Sequence, residues 1–199
     1  MTKKEPTKTR KALLTAAFVE IHRNGYQAAS VDKILAHTGV TKGALYHHFR
    51  GKQPLGLAVL GDLIAAAIEG LFLTPLADCE DPIETLTETI VKASEGLSDD
   101  EIMLGCPLNN LALEMSPVDE PFRQAICECY DRWRQGIADA LRRGQAAGQV
   151  RAEVDVAASA AFVVGALAGC RSVAKNAQSR DMLMTCVRQL CSYLETLKT

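Results

Sequence analysis

The 199-residue sequence predicts an all-α fold, an N-terminal tri-helical helix-turn-helix domain followed by a C-terminal antiparallel helical bundle, with about nine helices in all. Three observations predict it. Apolar residues recur at helical spacing along most of the chain, as Leu14, Phe18 and Ile21 do early and Leu183, Val187, Leu190 and Leu194 do late. Glycine, proline, serine, threonine and aspartate cut the chain into segments of helix length. No stretch reads as a convincing strand, and there is no internal repeat or low-complexity linker.

Residues 1–8 are polar, carry Pro6, and are expected to form a mobile basic arm. A helix follows from about Thr9 to Asn24, stopped by Gly25. Ser30 caps a second through His37, with Asp32 in its first turn and Val31, Ile34 and Leu35 facing inward. Gly39 suits the left-handed conformation that closes such a helix. Thr41 then offers its oxygen to the first amides of a third helix, Lys42 to His48. Ala44, Leu45 and Phe49 give that helix an apolar side, leaving Lys42, Gly43, Tyr46, His47 and His48 for the outside and the ends. A helix this short does not persist alone in water, so it must be docked. A short, docked, donor-rich helix is what the recognition helix of a helix-turn-helix requires.

Lys52 to about Thr74 reads as a connecting helix, with Pro54 in its first turn and Pro75 as its stop. Asp81-Pro82 opens a helix to about Gly96, and Asp99 or Asp100 opens the next, which meets Pro107. Leu108 to Met115 is a turn or two more, ended by Ser116-Pro117. Asp119 or Glu120 starts a long amphipathic helix to about Ala147, closed by Gly148. Val154 to Asn176 is rich in small residues, and a final helix runs from about Arg180 to Leu197. Paired, these last two helices are expected to build a four-helix interface with a second copy; the alternative is that both stripes are intrachain core.

A net charge of -2 hides an asymmetry: residues 1–52 hold ten Lys and Arg against three Asp and Glu, a net +7, and the remaining twelve against twenty-one give -9. A polyanion would be met at the basic end. The seven cysteines are odd in number and include no CxxC pair, which favours buried thiols over a disulfide framework. All four histidines lie in the first 52 residues and all cysteines after them, so no metal site is expected. With no apolar run expected to span a membrane and no signal-type segment after Met1, a cytoplasmic protein is expected.

Ser30-Val31-Asp32-Lys33-Ile34, followed by TGVTKGALYHHF and Lys52, resembles the tetracycline-repressor (TetR) family of bacterial regulators over the first 55 or so residues. The resemblance implies a homodimer, two recognition helices on a pseudo-palindromic DNA operator, and a C-terminal domain that binds an effector. The implied division is residues 1–52 for DNA binding and 53–199 for effector binding and dimerisation. Position by position, Thr41, Tyr46, His47 and Lys52 would hold phosphates, Lys42 and Gly43 would approach base edges, and Ser30 would present its hydroxyl and the helix-start amides to a phosphate. Gly51-Lys52-Gln53-Pro54 departs from the family, which usually has a serine cap and a following acidic residue.

Gly105-Cys106-Pro107-Leu108-Asn109-Asn110-Leu111-Ala112-Leu113-Glu114 resembles a subgroup signature, GCxLxNLAxE, found in the N-ethylmaleimide-responsive repressors. There the cysteine is a reactive thiol partnered by a lysine; Cys106 and Lys175 hold the matching places. A nearby cation raises the thiolate fraction that electrophiles attack. The other reading is a non-covalent small-molecule effector in an apolar pocket, with Met103, Leu104, Leu111, Met115, Tyr130, Trp133 and Phe162 as candidate lining. A helical enzyme is disfavoured: residues 53–199 hold no histidine for a nucleophile pair, and there is no glycine-rich phosphate loop. Glu114 and Asp119 are the carboxylates near the helix break, and solvation at helix ends explains them. No cofactor is expected. A DNA-bound architectural dimer without effector is the third reading.

Overall fold

The computed structural model describes residues 6–199, and every regular element among them is a helix. In order these are α1 (Pro6–Asn24), α2 (Val31–Ala36), α3 (Lys42–His48), α4 (Lys52–Ala77), α5 (Pro82–Glu95), α6 (Asp99–Leu104), α7 (Pro107–Met115), α8 (Glu120–Ala146), α9 (Val156–Ala177) and α10 (Arg180–Glu195). An isolated antiparallel bridge joins Val150 to Lys198.

The start signals act as their chemistry requires. Ser30, Thr41, Asp81, Asp155 and Ser179 each accept a backbone amide of the helix that follows. The cap of α6 is Ser98 rather than Asp99 or Asp100, in a reciprocal capping box with Glu101. Residues 1–5 of the expected arm lie outside the described residues, and residues 6–8 belong to α1, whose first position tolerates a proline.

Pro75 does not stop α4. Two π-helical stretches, Leu60–Ala65 and Glu69–Leu73, interrupt this helix, and Thr74 donates its amide to Glu69, five residues back. The wider turn lets a fresh α-helical turn begin at Thr74, so the missing amide of Pro75 falls at a helix start. By length and composition α4 and α9 could each cross a membrane, which corrects the expectation that no apolar stretch reaches that size. Both contribute buried side chains to the packing described next.

Two compact units make up the chain. In the first, the described residues up to Ala66 pack with Pro107–Cys127. Leu13, Leu14, Ala17 and Ile21 of α1 are buried, as are Ile34 of α2, Leu45 of α3, and Leu55, Val59, Leu60 and Ile64 of α4. Val31 and Leu35, expected to face inward, are only half-buried. Leu108, Leu111 and Met115 of α7 and Phe122 and Ile126 of α8 complete this core. Packing therefore groups residues differently from the functional division implied at Lys52.

The second unit comprises Ala67–Cys106 and Glu128–Thr199. α9 lies along α10, α5 packs on α10, and α6 packs on both α9 and α10. Leu183, Val187, Leu190 and Leu194 are buried here against intrachain neighbours, as are Val163, Val164 and Leu167 of α9. The stripe assigned to an interface with a second copy is thus core, because α5 and α9 already cover it.

On α8, a Cβ at Gly144 would sit 2.7 Å from Pro82 Cγ and 2.8 Å from Val150 Cγ2. Neither a proline ring nor a β-branched side chain can swing aside. Gly144→Ala is expected to lower the free energy of urea unfolding by about 1–3 kcal/mol; an unchanged midpoint would contradict this packing.

Candidate nucleic-acid interface

Side-chain caps and one tight turn set the second and third helices. Ser30 Oγ accepts from the Lys33 amide at 3.1 Å and Thr41 Oγ1 from the Ala44 amide at 3.3 Å. Between them Thr38 closes the turn with both functions of its hydroxyl, donating to Leu35 O at 3.0 Å and accepting from the Val40 amide at 3.1 Å. Gly39 adopts φ +61° in that turn. Thr38 was not singled out from the sequence, although Ser and Thr at a turn start are a known signal.

Leu45 and Phe49 dock α3 with 0% and 5% of their surfaces exposed. Arg10 lies over the Phe49 ring, its guanidinium carbon 5.4 Å from the centroid, and also pairs with Asp62 of α4. Lys42, Gly43, Tyr46 and His47 face outward as expected, and Tyr46 is about half exposed. Lys42 Nζ donates to Asp32 Oδ1 at 3.0 Å, tying the start of α3 to α2, and this bond is the main reason its pKa is raised. A Cβ at Gly43 would meet nothing within 4 Å, so the packing of the chain itself gives no reason for a glycine there.

Lys52 points elsewhere. Its ammonium donates to Gln27 O at 2.9 Å and lies 4.7 Å from the Tyr26 ring centroid, and burial lowers its pKa. Lys52 opens α4 directly after Gly51, which provides no side-chain cap.

Glu114 and Asp119 are not merely solvated helix ends. Asp119 accepts from the Phe122 amide at 3.0 Å, capping α8, and from Gln53 Nε2 at 2.8 Å. Glu114 accepts from the amides of Tyr26 and Gln27 at 2.8 and 2.7 Å. The signature ending in Glu114 pointed at this residue without showing its role.

The expected effector and sensor residues fall in both units, Leu111 and Met115 in the first and Met103, Cys106, Trp133, Phe162 and Lys175 in the second. Cys106 is half-buried beside the end of α6, and the Arg171 guanidinium interacts with it electrostatically. Arg171 Nη2 donates to Gly105 O at 2.8 Å and to Glu101 O at 3.2 Å, while its Nε is buried without a partner. Burial lowers the Arg171 pKa, and the neighbouring Cys106 and Glu101 oppose that shift. Lys175, one helical turn further along α9, is exposed. Cys129, which senses Cys106, is itself pushed up to about 11 by burial.

Met103 and Phe162 are 43% and 53% exposed, and Phe162 packs on Tyr193 with ring centroids 4.6 Å apart. Leu111 and Met115 are buried in the first unit. Trp133 is buried in the second against Phe72, 4.9 Å between centroids, with no partner for its indole N–H. Two open grooves of about 620 and 610 Å³ in the second unit include none of these side chains. One is lined by Glu80, Asp81, Glu84 and Glu88 among others, the second by Leu73, Arg132, Gln135 and Arg143 among others. Among the described residues no His, Cys, Asp and Glu side chains cluster as a metal site.

Comparison with known proteins agrees with this architecture. Residues 13–59 match the family described as bacterial regulatory proteins, tetR family. Residues 82–189 match the C-terminal domain described as transcriptional regulator LmrA/YxaF-like. Transcriptional regulator AcuR of Cereibacter sphaeroides is 32% identical over 159 residues, spanning 77% of this chain and 71% of AcuR. A TetR transcriptional regulator from Chloroflexus aurantiacus superposes with a TM-score of 0.84 at 25% identity over 98% of each chain. Reduced NemR of E. coli shares the fold, with a TM-score of 0.81 at 20% identity over 96% of this chain and 97% of NemR. With the reading helices matched by one family description and more than half of the chain by another, the protein belongs to the TetR family of transcriptional regulators, which bind DNA through a helix-turn-helix.

Proposed function

We propose that the chain is a repressor that binds a pseudo-palindromic operator as a homodimer and is released by a small-molecule effector. Residues 1–52 read the DNA, and residues 53–199 take the effector and the second copy. The observation that carries this reading is the outer face of α3. Lys42, Gly43, Tyr46 and His47 stand exposed on a helix that Leu45 and Phe49 hold in place. Tyr46, His47, Thr41 and Lys52 contact phosphates, with Ser30 supplying helix-start amides, and Lys42 and Gly43 approach base edges. To reach a phosphate, Lys52 exchanges its bond to Gln27 O.

Dimerisation uses the outward faces of α9 and α10, since their inward faces are core. Phe162, Gly165, Gly169 and Val173 share the exposed side of α9, and a Cβ at either glycine would meet nothing within 4 Å. Small residues on that face allow a second helix to come close. Effector binding moves the helices around Pro107 and changes the separation of the two recognition helices. Half-sites lie at a fixed helical phase, so a small change misaligns both contacts.

A second reading has specific support: the effector is an electrophile or oxidant that modifies Cys106. Arg171 grips the carbonyl just before Cys106 and interacts with it electrostatically. That places a fixed positive charge beside the thiol.

Gly43→Ala separates DNA contact from folding. Within the helix it should leave stability unchanged or raise it by up to about 1 kcal/mol. Affinity for an operator selected from random duplexes, read by fluorescence anisotropy, should fall at least about tenfold, since the added methyl meets a base edge. Unchanged affinity would remove Gly43 from the interface. For the thiol reading, N-ethylmaleimide should release wild type but not Cys106→Ser, with both remaining dimers by light scattering. Release of the variant at the same dose removes Cys106 as the sensor, and dissociation into monomers contradicts the realignment mechanism.

A further inference from the structure

The carboxylate of Glu114 grips two consecutive amides. Oε2 accepts from Tyr26 at 2.8 Å and Oε1 from Gln27 at 2.7 Å, in the loop that joins α1 to α2. The approach depends on Gly25, which has φ +81°; a Cβ there would lie 3.1 Å from both carboxylate oxygens. From the other side Lys52 Nζ holds Gln27 O and covers the Tyr26 ring. That ring packs on Phe122 with centroids 4.5 Å apart and fills the space over Gly56, where a Cβ would meet Tyr26 Cε2 at 2.6 Å. Burial, then Asp119 and Glu114, push the Tyr26 phenol up to about 12. The loop is thus clamped between the start of α4 and the segment that carries α7 and the beginning of α8, all within the first unit.

We infer that Glu114 is a positioning residue for DNA recognition. It acts through the α1–α2 loop and touches no DNA. The loop ends at Ser30, the cap of α2, and α2 leads through the Thr38 turn into α3. Whatever fixes Tyr26 and Gln27 therefore fixes the side from which the reading pair enters. Because one carboxylate serves both amides, the grip holds at a single setting of α7, and movement of α7 strains both bonds together. Charge-assisted bonds to two amides are among the stronger ties a carboxylate can make. The inference rests on the operator-binding reading and names the residue through which α7 governs it.

The test uses the full chain. Wild type selects an operator from a random-sequence duplex pool; wild type, Glu114→Gln and Glu114→Ala are then titrated against that duplex at 25 °C over a potassium chloride series. Melting curves are recorded in parallel. Glu114→Gln turns an amide group toward a backbone N–H, and operator affinity should fall about tenfold or more in folded protein, while binding to a scrambled duplex changes little. A folded variant that melts earlier yet binds the operator like wild type would show that Glu114 only holds the fold, and would overturn the inference. A second measurement needs no variant: amide hydrogen exchange at Tyr26 and Gln27 in wild type. If the grip favours DNA binding, DNA must favour the grip, so the selected duplex should slow exchange at both amides. Unchanged or faster exchange overturns the inference. A wild type that enriches no sequence removes the operator-binding reading, and this inference with it. A selected operator that all three proteins bind equally removes the inference alone.

Discussion

A seven-residue helix has no stability of its own in water, and the N-terminal unit is arranged around that constraint. Burying Leu45 and Phe49 contributes about 1.5–3 kcal/mol each, enough to hold α3 without enlisting its other side chains. The outer face is thereby free of core duty, and of its polar residues Lys42 ties α3 to α2 through Asp32. Short elements also leave many helix-end amides exposed. Ser30, Thr38 and Thr41 answer them with hydroxyls, so the turn between α2 and α3 is held by local bonds rather than by a large contact area.

The same constraint explains why residues distant in sequence complete the unit. One longer helix and two short ones bury too little apolar surface to be rigid by themselves. Leu108, Leu111 and Met115 of α7 and Phe122 of α8 add core to α1 and α4. Glu114 and Asp119 add polar ties to the α1–α2 loop and to Gln53. A functional division at Lys52 and a packing division that takes in Pro107–Cys127 are therefore compatible. The segment that follows the Gly105-Cys106 break is built into the scaffold of the reading helices.

Charge is distributed on the same plan. Residues 1–52 carry +7 and the rest -9, which attracts a polyanion to one end of the chain and repels it from the remainder. Exposed ion pairs such as Lys42 with Asp32 contribute little to stability. What such a pair does is hold a cation in a defined place. Arg171 differs: it is largely desolvated, spends one nitrogen on two carbonyls, and has no carboxylate bonded to it. Its positive charge interacts with Cys106.

The sequence alone determined the helical class, almost all helix starts, the limits of α3 and the family, because these rest on local signals: caps, glycine stops and 3.6-residue periodicity. It also placed Lys42, Gly43, Tyr46 and His47 outward, since Leu45 and Phe49 leave only one possible inner face. Tertiary structure decided what local signals do not encode. Periodicity marks an apolar stripe but not its partner, so Leu183, Val187, Leu190 and Leu194 became core once α5 and α9 covered them. Proline is a stop only where the helix keeps its register, and the π turn before Pro75 changed it. Residue type does not single out Arg171, and only the fold sets its guanidinium on the carbonyl just before Cys106. Glu114 and Gln27 are 87 residues apart, and only the fold brings that carboxylate to the loop amides.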